Sequence, residues 1–296
     1  MYPWVGDAPK LGYRLLNRFA MLVDAGYLLS AGGSLRTGVT IRAALKCNHR
    51  DLVQALIKYA TDHCGQDLLR VYWYDGAKDA VPTAEHKLIG GLDNVKVRLG
   101  RLTRSGQKGV DSRIVRDLIT LGRERAVTTA FVLSGDEDLR EGVADAQEVG
   151  VRVLLVGIKS RKQKSNQSQS LIREADEHLF LPESVLEHIS LRDDLITVDL
   201  AEDYVETNGP KAAAEQVGQL FAEEWAHRTT PEEVYSLAEG GLRLPKDLDV
   251  DLLAAAAIAL SRDISKDLRN SLRDGFRKEL LAAVALFDAA AADEGD

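Results

Sequence analysis

No apolar run in this 296-residue chain approaches the roughly 20 residues a helix needs to span a bilayer, so no membrane partner is expected. The opening stretch MYPWVGDAPKLGYR lacks the basic-then-apolar order of a secretory signal. Cysteine is scarce. Cys47 and Cys64 are the only two, which excludes a disulfide framework and points to a reduced, cytoplasmic protein. They also make a poor zinc site, because Cys47–His49 and His63–Cys64 stand at opposite ends of an expected helix, about 20 Å apart by its rise. The glycine-rich stretches AGGS (31–34) and GG (90–91) match neither a phosphate-loop nor a dinucleotide fingerprint. No G-x-S-x-G element or cysteine-nucleophile context is present. A nucleotide cofactor and serine or cysteine hydrolase chemistry are therefore not expected.

What is there is ordinary in amount and uneven in placement. Apolar residues make up 45% of the chain and charged ones 28%, ample for a core. The length suits one large or two ordinary domains. The net charge of −8 conceals an asymmetry. Residues 1–191 carry 27 basic and 23 acidic side chains, a net of +4; residues 192–296 carry 11 and 23, a net of −12. An acidic total is thus no argument against a nucleic-acid partner for the front half, while the back half is a poor surface for gripping phosphate.

The front half alternates apolar strand-like runs with helix-like stretches, the pattern of a mostly parallel sheet covered on both faces. Strands are expected at 18–24, 69–75, 95–100, 128–134 and 151–158, with a short edge at 178–181. Helices are expected at about 49–63, 83–92, 109–123 and 137–149. Residues 101–108 (RLTRSGQK) and 159–170 (KSRKQKSNQSQS) read as polar, basic loops. Beyond about 190, Ala, Leu, Glu and Asp dominate, and helices are expected at 210–227, 231–238, 249–261 and 265–291. The division is an α/β domain over 15–190 and an acidic α-helical domain over 191–296, open to a second copy or a protein partner.

Four aspartates mark the carboxyl edge of that sheet. Asp24 ends the run FAMLV, Asp111 closes KGVD, and Asp136 and Asp138 follow FVL through Ser134-Gly135. Ligand sites in open α/β sheets collect at this edge. Any one aspartate there, taken alone, is read first as a helix cap or turn residue. Four converging on one rim repel each other, and a hard divalent cation with oxygen ligands relieves the repulsion. Such an ion supports attack of water on phosphate esters. Asp24 and Asp136 are the first choice as direct ligands, with Asp111 and Asp138 on a second ion or on waters. Ser134 is placed to bond a carboxylate or phosphate oxygen or simply to make the turn. Asp75 is divided between supporting the site and shaping a turn.

The order VDAGY (23–27), YWYDG (72–76), QKGVD (107–111), VLSGDEDL (132–139), VG (156–157) and SQSLIREADEHLFL (168–181) resembles the NYN domain, more narrowly the LabA-like branch of the PIN-like nuclease superfamily. The likeness covers about residues 15–185. It implies a three-layer α/β/α fold and a Mg²⁺- or Mn²⁺-dependent ribonuclease site with Asp24, Asp111, Asp136 and Asp138 as its acidic residues. One position departs: many NYN domains have asparagine three residues after the first aspartate, and here it is Tyr27.

The basic residues Arg101, Arg104, Lys108, Lys159, Arg161, Lys162 and Lys164 lie in the two rim loops and are candidates for phosphate contacts. Tyr27 is a candidate stacking surface or a space-filler. Trp73 and Tyr74 alternate along a strand, so at least one belongs to the core. The leading reading is a metal-dependent nuclease acting on RNA in preference to DNA. A nucleic-acid-binding regulator with a weakened site is the alternative, and Tyr27 keeps it open. A haloacid-dehalogenase-like phosphatase would need an aspartate where Gly26 stands.

Overall fold

The structure is a computed structural model that describes residues 17–103, 106–161, 165–201, 203–240, 243–261 and 264–293. In chain order the elements are β1 (Arg18–Asp24), α1 (Ala25–Thr37), β2 (Leu45–Cys47), α2 (His49–Cys64), β3 (Asp67–Lys78), α3 (Ala84–Gly90), β4 (Val95–Thr103), β5 (Gly106–Lys108), α4 (Val110–Arg123) and β6 (Thr129–Leu133). There follow α5 (Arg140–Glu148), β7 (Arg152–Gly157), α6 (Gln169–Glu174), β8 (Glu177–Phe180), α7 (Glu183–Leu186), β9 (Ile189–Leu191), α8 (Tyr204–Arg228), α9 (Pro231–Glu239), α10 (Lys246–Ala259) and α11 (Lys266–Asp293). No helix among the described residues is long and apolar enough to cross a membrane.

A seven-stranded sheet has the order β5-β4-β3-β1-β6-β7-β8, parallel throughout except for β5. Fully buried runs such as Phe19–Val23, Val71–Tyr74 and Phe131–Leu133 form its centre, as expected of strands covered on both faces. Side-chain alternation sorts them. Ala20, Leu22, Tyr72, Tyr74, Ala130, Val132, Val153 and Leu155 pack with Ile114, Leu118 and Leu121 of α4 and Val143 and Ala146 of α5. The opposite face carries Phe19 edge-on to Phe131, which also meets His63 of α2. On that face too, Asp75 bonds His86 of α3. The fold is therefore three-layered α/β/α. Trp73 and Tyr74 are both wholly buried, one on each face.

One expectation needs correction. The described residues of 101–108 are strand, not loop: β4 continues to Thr103, and Gly106–Lys108 lies antiparallel along it, Arg101 opposite Lys108. The pairing satisfies main-chain groups that a bare sheet edge would leave unpaired. A helix also runs through the glycine-rich stretch at 31–34. Its glycines allow close approach, since a Cβ on Gly33 would sit 2.5 Å from Leu45 Cδ1 and 2.7 Å from the Val39 carbonyl oxygen.

Contacts group the chain into two compact units. The first holds Met1–Ala25, Val53–Gly157 and Gln167–Phe180; the second holds Gly26–Leu52, Ile158–Asn166 and Leu181–Asp296. In the second unit, β2 pairs antiparallel with β9. The helices after residue 200 share a core of Val217, Phe221, Leu252, Leu272, Phe276 and Leu280 with Val39 and Ala44. Helix α8 breaks at Gly209 (φ 80°) and restarts at Pro210, whose missing N–H costs nothing in a first turn. Arg192 reaches Asp251 through two bonds of 2.8 and 2.9 Å and the Ala43 carbonyl at 2.9 Å.

Candidate functional site

The sheet reverses direction at β1. From there the chain builds outward to β3, β4 and β5, then returns to the other side for β6, β7 and β8. The crevice at such a reversal, outside the carboxyl ends of the strands, is where α/β sheets bind ligands. Asp24 ends β1 and Ser134 follows β6 at this crevice. Both point to the α4 side by strand alternation.

Ser134 is wholly buried. Its hydroxyl donates to Asp24 Oδ2 at 3.2 Å and accepts from the Asp136 N–H at 3.4 Å. Asp136 then caps the short turn Glu137–Leu139, its Oδ1 accepting from the Asp138 N–H at 3.1 Å. Asp111 enters from the first turn of α4. Gly109 precedes that helix with φ 80°, a left-handed conformation that a side chain would strain, which accounts for glycine in KGVD. The position of Asp111 near a helix N-terminus favours a carboxylate.

Three of the four sequence-expected aspartates converge. One carboxylate oxygen each from Asp111, Asp136 and Asp138 lies within 4.8 Å of the other two. Asp24 stands outside this trio and is tied to it through Ser134. Burial pushes the Asp111 carboxyl above its ordinary range, and the negative charges of Asp136 and Asp138 add to the rise. Among the described residues no basic side chain pairs with any of the three. The donor set fits a hard cation. Oxygens around Mg²⁺ sit at about 2.1 Å, so ligands on one ion are at most about 4.2 Å apart, close to the spacing here. Among the described residues no histidine or thiolate joins the trio to favour a softer metal.

The site's floor rests on a residue the sequence did not single out. Gln167 is buried; its amide donates to the Ser134 carbonyl at 2.7 Å and the Val156 carbonyl at 3.3 Å, and its Oε1 meets His178 Nε2 at 2.7 Å. It thus clips the carboxyl ends of β6 and β7 together and ties them to His178 of β8. A Cβ on Gly157 would collide with the Gln167 amide, so glycine there makes room for the clip. Ser168 N–H bonds the Gly135 carbonyl, and Ser170 donates to Glu137, pinning the same loop. A lone polar residue in NQSQS carries no signal of burial, which is why Gln167 was not legible.

The other candidates are placed as follows. Tyr27 is half-buried and its hydroxyl is committed: it donates to Asn166 Oδ1 at 3.0 Å and accepts from the Ile158 N–H at 3.1 Å. Arg161 donates to the Leu35 and Arg36 carbonyls at the end of α1. Lys159 and Arg101 are exposed. Arg104, Lys162 and Lys164 lie outside the described residues, as does the side chain of Lys108. Asp75 is wholly buried within β3, bonded to His86 Nε2 at 3.0 Å and the Gly76 N–H at 2.7 Å.

The family model for the NYN domain matches residues 18–186. The chain belongs to the NYN domain family. That places this NYN protein in the PIN-like nuclease superfamily, whose members generally use divalent metals. It is 34% identical over 209 residues to an uncharacterized protein, y4oD, of Sinorhizobium fredii, covering 67% of this chain and 97% of that protein. It is also similar to a crystal structure of a protein of unknown function from Vibrio parahaemolyticus, with TM-score 0.39 and 18% identity over 57% of this chain and 95% of that one.

The raised Asp111 carboxyl has a consequence for metal-free protein. The folded state holds that proton more tightly than the unfolded chain, whose aspartates titrate near pH 4. The stability it contributes is present below that range and is lost as pH rises through the raised value. The melting-temperature difference between wild type and Asp111→Asn, in EDTA, is expected to move against wild type as pH rises from about 4 to 7. Millimolar Mn²⁺ at pH 7 is expected to raise the wild-type melting temperature by mass action. A difference flat with pH would contradict the charge crowding.

Proposed function

We propose that this chain is a metal-dependent nuclease that hydrolyses phosphodiester bonds, in RNA rather than DNA, with Mg²⁺ or Mn²⁺ at its carboxylates. The observation that carries the reading is the meeting of Asp111, Asp136 and Asp138 at the sheet's reversal point, without a paired cation from the described residues. Asp111, Asp136 and Asp138 would hold the ion, and Asp24 supports them through Ser134. When bound, the ion supplies Lewis acidity toward the phosphate and lowers the pKa of water. The chain's own work is positional. Gln167 holds the Ser134 carbonyl, and the Ser134 hydroxyl sets both Asp24 and the Asp136 backbone. Asp111, which burial and the charges of Asp136 and Asp138 hold above its ordinary range, would bind the ion as a carboxylate. Within the NYN family the LabA-like branch is our assignment, resting on KGVD and SGDEDL.

The rim residues Arg104, Lys108, Lys159, Arg161, Lys162 and Lys164, with Tyr27 and Ser134, stay in this reading as substrate contacts. The setting is cytoplasmic, the α/β domain spans 15–190, and the acidic helices of 191–296 serve docking to a second copy or a protein partner. A nucleic-acid-binding regulator is the second reading. It is favoured by Tyr27, which stands in the place of asparagine and spends its hydroxyl on the 158–166 segment.

The test is incubation with end-labelled single-stranded RNA and the matching DNA in Mg²⁺ or Mn²⁺. Cleavage of RNA ahead of DNA, stopped by EDTA, is expected. Binding without cleavage in Mn²⁺ would hand the lead to the regulator.

A further inference from the structure

We infer that a single nucleic-acid strand leaves the carboxylate cluster along the outer stripe of α4, its phosphates held by Arg116 and Arg123. A groove of about 650 Å³ runs there, and its lining includes Asp111 and Asp138 at one end and Arg116 and Arg123 beyond them. The cluster and the two arginines therefore share one open surface within one compact unit. The inference rests on the nuclease reading in one respect: the cut point is placed at the carboxylates.

The stripe follows from helix periodicity. Ser112, Arg116, Ile119 and Arg123 fall at intervals of four, three and four, so they share a face. The opposite face, Ile114, Leu118 and Leu121, is buried against the sheet. At 1.5 Å per residue, Arg116 lies about 7 Å and Arg123 about 18 Å along the axis from Asp111. The interval of about 10 Å between the arginines covers roughly three phosphates at the 3.4 Å rise of a stacked strand. Val115, just before Arg116, and Ile119, between the two arginines, offer apolar ground for sugars and bases. Such ground is of use to a splayed single strand rather than a duplex, which would present only its backbone.

An exposed helix arginine usually finds a carboxylate three or four residues away. Here neither does: those positions around Arg116 are Ser112, Arg113, Ile119 and Thr120, and those around Arg123 are Ile119, Thr120, Ala126 and Val127. Arg116 leans on Asp117 at 3.5 Å, but Asp117 is held more closely by Tyr74 at 3.0 Å and Arg98 at 3.1 Å. Arg123 is exposed and in no ion pair among the described residues. Arg123, in no ion pair among the described residues, and Arg116, whose Asp117 partner is shared with Arg98, supply what the acidic cluster lacks toward a polyanion, since carboxylates alone repel it.

The experiment is fluorescence anisotropy with a labelled single-stranded RNA 12-mer, in an Asp136→Asn background to prevent cutting, at several salt concentrations. Adding Arg116→Ala and Arg123→Ala is expected to weaken binding at least tenfold. The slope of log affinity against log salt should shrink by about 1.4, at about 0.7 per phosphate contact on a single strand. The double lysine variant, Arg116→Lys with Arg123→Lys, should keep most of the salt slope. In the otherwise wild-type protein the alanine pair should raise KM with kcat held, and leave the Mn²⁺-induced rise in melting temperature intact. Unchanged affinity and slope in the alanine pair would overturn the track while leaving the nuclease reading standing. Arginine-dependent binding with no cleavage by wild type in Mn²⁺ would overturn the nuclease reading and leave the track. If wild type binds no strand at all, both fall.

Discussion

Asp136→Asn is expected to lower phosphodiester cleavage by at least about a thousandfold while the protein stays folded. The loss follows from charge. A cation held by three carboxylates stabilises the developing phosphate charge by several kcal/mol, and every 1.36 kcal/mol is a factor of ten in rate. The retained fold follows from the local geometry. Asp136 Oδ1 caps the following turn by accepting from the Asp138 N–H, and asparagine is as good a cap as aspartate. Its Asn Oδ1 can accept the same bond at nearly the same volume. Removing the charge also relieves Asp111, so metal-free Asp136→Asn should melt no lower than metal-free wild type, and the Mn²⁺-induced rise should shrink. Cleavage within a few-fold of wild type would show that the trio is not where the chemistry occurs.

The second large effect lies in the helical unit. Gly275→Ala is expected to cost about 3 kcal/mol, a drop of roughly 10 °C in the melting of that unit. Helices α8 and α11 meet backbone to backbone. A Cβ on Gly275 would fall on the Glu215 carbonyl oxygen, and one on Gly218 would fall on the Leu272 carbonyl oxygen and 2.8 Å from the Phe276 nitrogen. Backbone cannot rotate aside as a side-chain tip can, so the helices must part, loosening Val217, Phe221, Leu272 and Phe276 at the crossing. Thermal unfolding followed by circular dichroism checks this; a shift under 2 °C would mean the crossing is looser than described.

These two sites differ in how legible they were. The strands β1, β3, β6 and β7 announce themselves as short apolar runs. The aspartates at their ends are visible because a charge that closes such a run has one place to go. The motif KGVD also carries its own reason, a left-handed glycine before a helix. The helix α1 was not legible because Gly32 and Gly33 lower helix propensity, and the reason for them, close approach of Ile189 and Leu45, is a tertiary fact. The edge strand β5 is three residues without alternation, and only its partner β4 makes it a strand. Gln167 acts through burial that a polar stretch does not advertise. The arginine stripe of α4 was legible in principle: the helix was expected, and intervals of four and eleven from Ser112 needed only to be counted. Asp24 was expected among the direct ligands; in the structure it lies outside the trio and bonds the Ser134 hydroxyl, which also accepts from the Asp136 N–H.

The central claim is that Asp111, Asp136 and Asp138 form a divalent-cation site. Anomalous X-ray scattering at the manganese edge, from crystals of the full chain soaked in Mn²⁺, tests it most directly. The account predicts a peak at about 2.2 Å from carboxylate oxygens of those three residues, absent from Asp136→Asn crystals. Saturating Mn²⁺ that leaves no peak among them, or that binds only elsewhere, would contradict it.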